Sequence, residues 1–155
     1  MNVIMDADCL IKLTKAGLKE AVCAAWSVSI PRAVRRETAD QAPHMPDAVR
    51  IGRNIETGRI AVRDEGRSRR KGEEAALRLY ESGGFDAVAT DDARFIRRLR
   101  GLGVPYAVPG VIVVKMCRQG VMPLTRAVKG LTALRGHISA EQHAAAQLML
   151  SGGET

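Results

Sequence analysis

Short apolar runs alternate with stretches of helical periodicity along most of the chain. "NVIM" (2–5), "WSVSI" (26–30), "IAV" (60–62), "DAVAT" (86–90) and "YAV" (106–108) are strand candidates. Between them, apolar residues three and four apart predict helices near 8–24 (with Gly17 a candidate break), 31–40, 47–57, 72–82 and 91–101. That alternation predicts an α/β fold of three layers, α/β/α, around a mainly parallel sheet of about four to five strands. The rest is helical in pattern. "GVIVVKMCRQG" (110–120) has a β-branched run that also suits a strand, but its length and closing glycine favour helix. "PLTRAVKGLTAL" (123–134) follows, then "SAEQHAAAQLML" (139–150), opened by a Ser139/Gln142 capping box. No repeat, low-complexity tract or long linker divides the chain. The expectation is one domain over 1–155, with a core to about 110 and a helical extension over about 110–151. "QAPHMP" (41–46) and the basic "GRSRRKG" (66–72) are loop candidates.

Length and composition narrow the class. A chain of 155 residues buries about two-thirds of its unfolded surface. With 46% hydrophobic but only 3% aromatic residues, its core is built from Ala, Val, Leu and Ile. No apolar run approaches the ~20 residues needed to span a bilayer. Asp6 and Asp8 stand where a secretory signal is basic and then apolar, so a soluble cytoplasmic protein is expected. Cys9, Cys23 and Cys117 form no CxxC pair, and His44, His137 and His143 lack zinc-ligand spacing, so none is assigned chemistry.

The net charge of +7 adds a second theme. Basic residues concentrate in 63–72, including Arg67, Arg69, Arg70 and Lys71, and in 94–100. In a helix, Arg94, Arg97 and Arg98 share one face, while Phe95, Ile96, Leu99 and Leu102 cover the other. A solvated helix face and a phosphate-neutralising patch both fit this pattern.

The acidic residues are the sharper signal. In a parallel α/β sheet, ligand sites lie at the carboxyl ends of strands. Asp6 follows the first strand candidate; Asp91 and Asp92 follow "DAVAT". Glu37 lies four and three residues after Ala33 and Val34 and is expected on their inward face. Glu73 is followed at helical spacing by Ala76, Leu77 and Tyr80 and is expected inward, whereas Glu74 is expected as a solvated first-turn acid. One of Asp91 and Asp92 suits a helix N-cap, leaving a second carboxylate over. Four or five carboxylates at one sheet end, without matching histidines or thiolates, suit a hard divalent cation, Mg²⁺ or Mn²⁺. Such ions activate water against a phosphodiester, and a basic rim would hold the polyanion.

In order along the chain, these stretches resemble the PIN domain, the metal-dependent nuclease fold of VapC-type toxins. "VIMDADCLIKL" is similar to the family's opening strand and Asp, and "IPRAVRRE" to its proline-led helix with a Glu three after a Val. "GEEAALRLY" and "AVATDDARF" are similar to its third and last acidic motifs. "LIKLTKAGLKE" and the tail "VVKMCRQGVMPLTRAVKGLTALRGHIS" resemble a poorly characterised bacterial and archaeal branch that shares a C-terminal helical extension. The resemblance implies a ribonuclease that cleaves RNA endonucleolytically and serves as the toxin of a toxin–antitoxin pair. It implies metal ligation by Asp6, Glu37, Glu73 and Asp92 with Asp91 close by, a cognate antitoxin and a homodimer. Two departures stand out. Asp8 occupies a position where the family usually has Ser, Thr or Asn, making it an outer-shell candidate, and Glu73 replaces the usual Asp.

Two other readings stay open. The acids could serve as caps and ion-pair partners in a non-catalytic RNA-binding or scaffold PIN protein. Alternatively, "DAD" opens haloacid-dehalogenase-type phosphatases, with Asp6 as nucleophile, Asp8 as acid/base, and Ser29 and Lys71 in support. Against that, Leu10 stands where Thr or Val is usual, and Glu37 and Glu73 have no role.

Overall fold

A computed structural model describes residues 1–64 and 72–152. Five parallel strands, β1 (Asn2–Met5), β2 (Ser27–Pro31), β3 (Ile60–Arg63), β4 (Ala87–Ala89) and β5 (Tyr106–Ala107), form one sheet in the order β3-β2-β1-β4-β5. Its helices are α1 (Ala7–Lys15), α2 (Lys19–Ala25), α3 (Arg32–Arg35), α4 (Pro46–Glu56), α5 (Gly72–Glu81), α6 (Ala93–Leu102), α7 (Pro109–Arg118), α8 (Leu124–Leu134) and α9 (Ala140–Ser151).

Both faces of the sheet are covered, which is why β1, β3 and β4 carry short continuous apolar runs, while β2 interrupts its own with the buried Ser29. Along β1, Val3 and Met5 point into a large core shared with α1, α2, α7, α8 and α9. Ile4 points the other way, with Val88, into a smaller core built by Ala76, Leu77 and Leu79 of α5 and Phe95 and Leu99 of α6. The expected three-layer α/β/α arrangement is therefore present. Among the described residues, no helix is long and apolar enough to cross a membrane.

The candidate break at Gly17 is real: the stretch over 8–24 forms two helices, because Gly17 adopts φ +72° between them, a conformation that other residues enter at a cost. Two expectations are corrected. The helix over 31–40 is α3 followed by a π turn (Arg36–Asp40), in which the Gln41 amide donates to the Arg36 carbonyl at 2.9 Å. Leu102 is exposed rather than packed, since α6 ends there at Gly103 with φ +68°. The ambiguous 110–120 segment forms helix α7, seated on the sheet by Ile112, Val113 and Met116.

The strand order places a reversal between β1 and β4. From β1 the chain steps outward to β2 and β3, then crosses back to β4 and β5 on the other side. A crevice opens where connections diverge this way, beyond the strands' carboxyl ends. Met5 pairs with Ala89, so Asp6 and Thr90, the residues just past each strand, are neighbours.

Candidate functional site

Asp6 serves the helix and the crevice together. As N-cap of α1, it accepts the Cys9 amide on Oδ1 at 2.8 Å, while Oδ2 accepts a short hydrogen bond from the Thr90 hydroxyl. The residue is 7% exposed. Burial pushes its carboxyl up to about 7, against the pull of those two hydrogen bonds, and the nearby charges of Asp8 and Asp92 add to the rise. Thr90, fully buried, also accepts the Asp92 amide at 3.2 Å, so one hydroxyl ties the two strand ends together.

The pair after β4 divides its work. Asp92 is the N-cap of α6, accepting the Phe95 amide at 2.8 Å, and it lines the crevice. Asp91 does not line it. Its Oδ2 lies 2.6 Å from Lys12 Nζ, and its Oδ1 accepts from Gln142 Nε2 at 2.5 Å. Lys12 also reaches Asp8 Oδ2 at 2.9 Å. Burial pulls the Lys12 ammonium down, yet its bonds to Asp91 and Asp8 outweigh that and hold it above the ordinary lysine range.

The crevice is a cavity of about 630 Å³, lined by Asp6, Ala7, Asp8, Glu37, Gly72, Glu73, Glu74, Asp92, Arg94 and Arg98. Glu37 reaches it by an unexpected route. Ala33 and Val34 are buried, but the π turn shifts the frame, so Thr38 and Ala39 take the buried positions and Glu37 opens to solvent. Such turns recur at functional sites for this reason. The Glu37 carboxylate lies over the start of α5, where a Cβ on Gly72 would stand 3.5 Å from Oε1 and 3.7 Å from Oε2. From the first turn of α5, Glu73 faces the cavity half-buried. Burial raises its carboxyl, Asp92 adds to the rise, and Arg94 and Arg98 oppose it. Glu74, in the same first turn, keeps its side chain 41% exposed, in keeping with a solvated acid, but it also lines the cavity and is ion-paired to Arg98.

Of the basic candidates, Arg94 and Arg98 line the cavity, while Arg97 is exposed beside it. Arg67, Arg69, Arg70 and Lys71 lie outside the described residues. Ser29 is buried in mid-strand opposite Ile4 and Ala61 and does not reach the cavity, which removes it from any role beside Asp6. The Ser139/Gln142 box forms only by half. Ser139 caps α9 by accepting the Gln142 amide, but the Gln142 side chain leaves for Asp91 and for the Gly110 amide, at 3.0 Å.

The donor set is all oxygen, and in two of its members, Asp6 and Glu73, burial chiefly raises the carboxyl while neighbouring acids add to the rise. In kind, such donors fit a hard divalent cation. In arrangement they share a cavity without closing on one point: among the described residues, no three acidic, histidine or cysteine side chains are close enough to hold a metal ion.

A family model described as PIN domain matches residues 2–147. The chain belongs to the PIN-domain family. No curated protein and no solved structure matches the chain significantly. PIN domains have a nuclease-type fold, are generally nucleases, and typically use divalent metals. In this PIN domain, Lys12, Thr90 and Gln142 are the residues that sequence reasoning missed. The i,i+4 spacing of Asp8 and Lys12 was a usable signal for the first, and Thr90 stood inside the "TDD" motif without a role. Nothing local marks Gln142 as a partner of Asp91, 51 residues away.

Proposed function

We propose that the protein is a Mg²⁺- or Mn²⁺-dependent endoribonuclease, the toxin of a toxin–antitoxin pair. The observation that carries this reading is one cavity at the β1/β4 reversal, where carboxylates from four separate chain segments meet two arginines. Asp6, Glu37, Glu73 and Asp92 would hold the cation; when bound, it supplies Lewis-acid activation of water and charge stabilisation at the phosphodiester. The remaining work falls to the chain. Thr90 and the α1 amide of Cys9 fix the Asp6 carboxylate, which must be ionised to act. Arg94, with Arg98 once it parts from Glu74, draws the RNA backbone to the acids, and Arg97 extends that track; Arg67, Arg69, Arg70 and Lys71, which lie outside the described residues, are RNA-binding candidates by their charge. Asp91 acts at one remove, through Lys12. RNA places the protein in the cytoplasm, and a cognate antitoxin and a homodimer complete the proposed assembly.

One observation favours a second reading, a non-catalytic RNA-binding PIN protein: among the described residues, no three of the acids converge on one point. Incubation of labelled RNA with purified protein, with and without Mn²⁺, separates the two. Cleavage that needs Mn²⁺ and disappears in Asp6→Asn supports the nuclease; RNA bound but left intact supports the binding protein.

A further inference from the structure

Six carboxylates line the cavity, and they are not equally free. Arg98 neutralises Glu74. Lys12 neutralises Asp8. Among the described residues, Asp6, Glu37, Glu73 and Asp92 make no ion pair. Four acids without an ion pair are therefore left, and Asp8 is set apart from them by a cation supplied by the chain itself.

That cation is held firmly. The Lys12 side chain is 19% exposed and runs between Asp8, which is 49% exposed at the cavity, and Asp91, which is 9% exposed behind it. Asp91 is fixed in turn by Gln142, whose Oε1 accepts the Gly110 amide at the start of α7. Close packing leaves little slack: a Cβ on Gly110 would lie 3.2 Å from Gln142 Oε1 and 3.3 Å from Ala146 Cβ. A divalent cation entering the cavity repels an ammonium group, and a loosely held lysine would swing away. Lys12, with Asp91 as a second anion on its far side, stays.

We propose that Lys12 is the built-in counter-charge of the cavity: it holds Asp8 out of the cation's ligand set and so limits how tightly the site binds a divalent ion. Lys12 divides its charge between Asp8 and Asp91, so Asp8 presents a reduced negative charge to the cavity rather than that of a bare carboxylate. The inference rests on the cavity being a divalent-cation site, as proposed above. Lys12 is a positioning residue acting through Asp8.

Mn²⁺ binding by the purified full chain, followed by the electron paramagnetic resonance of free Mn²⁺, tests this apart from activity. Lys12→Met is expected to bind Mn²⁺ about tenfold more tightly than wild type, because Asp8 becomes available and the opposing charge is gone. In an Asp8→Asn background the same substitution is expected to gain about threefold or less. Lys12→Arg, which keeps the charge, is expected to bind as wild type does. Lys12→Gln carries the same expectation as Lys12→Met and replaces it should Lys12→Met fail to fold by circular dichroism. Unchanged or weaker binding by the folded Lys12→Met or Lys12→Gln variant overturns the inference and leaves the cation site standing. An equal gain in both backgrounds overturns it too, since Lys12 then acts as a general charge. No Mn²⁺ uptake by the wild-type protein overturns the cation site, and the inference with it.

Discussion

Gln142, on the last helix of the described chain, donates a 2.5 Å hydrogen bond to Asp91, which sits directly behind the acidic cavity. The helical extension is thus joined to the site by a polar chain that runs from Gln142 through Asp91 and Lys12 to Asp8. Breaking its first link leaves a poorly exposed carboxylate short of a donor and the Gly110 amide short of an acceptor. Gln142→Leu is expected to cost about 1–3 kcal/mol, a fall in Tm of about 2–10 °C by circular dichroism. A melting curve indistinguishable from wild type would show that the link holds nothing.

Asp6 carries a pH signature. Its carboxyl titrates near 7 in the folded protein, against 3.8 as the ordinary value. Between those two pH values the folded chain binds the proton that the unfolded chain has released. Stability of the metal-free protein therefore declines as pH rises from about 4 to 7, and the full penalty is present above 7. Asp6→Asn keeps a capping side chain and removes the buried charge. In EDTA, urea unfolding is expected to show it more stable than wild type at pH 8, by on the order of 1–3 kcal/mol, and nearly equal at pH 4. A variant less stable than wild type at pH 8 contradicts the burial argument.

Thr90 is the hinge between Asp6 and Asp92. Thr90→Val preserves shape while depriving both of the hydroxyl. A loss of about 1–2 kcal/mol is expected, together with a fall in Mn²⁺-dependent cleavage of about tenfold at unchanged RNA affinity. If RNA affinity falls and turnover holds, Thr90 serves the rim and not the acids.

Arg98 is engaged by Glu74 across the cavity mouth. Glu74→Gln frees it and is expected to tighten binding of single-stranded RNA. Arg98→Ala is expected to weaken binding and lower the slope of log K against log salt by about 0.7. Fluorescence anisotropy across a salt series reads both. An unchanged slope in Arg98→Ala removes that arginine from the RNA track.

Sequence and structure agree where the pattern is one of period. The strand candidates and the three layers followed from apolar runs such as "NVIM" and "DAVAT", because strands buried on both faces leave little freedom in composition. Asp6 and Asp92 were placed by lying just past such strands. Glu37 shows the limit of the same logic. It reaches the cavity, but through a π turn that no 3.6-residue periodicity encodes, and its expected inward face went to Thr38 and Ala39. The Glu74 ion pair escaped for a different reason: its neighbours along α5 are charged, and only the fold brings Arg98 opposite. The division of labour between Asp91 and Asp92 depends on Lys12 and Gln142, whose approach is tertiary.

The central claim is that the cavity holds a cation which cuts RNA, and Asp6 is its most buried acid. Labelled RNA incubated at pH 8 with wild-type protein, with Asp6→Asn, and with wild type in EDTA tests that claim most directly. Internal cleavage by wild type with Mn²⁺, abolished in the other two, is the predicted result; equal cleavage by wild type and Asp6→Asn would contradict it.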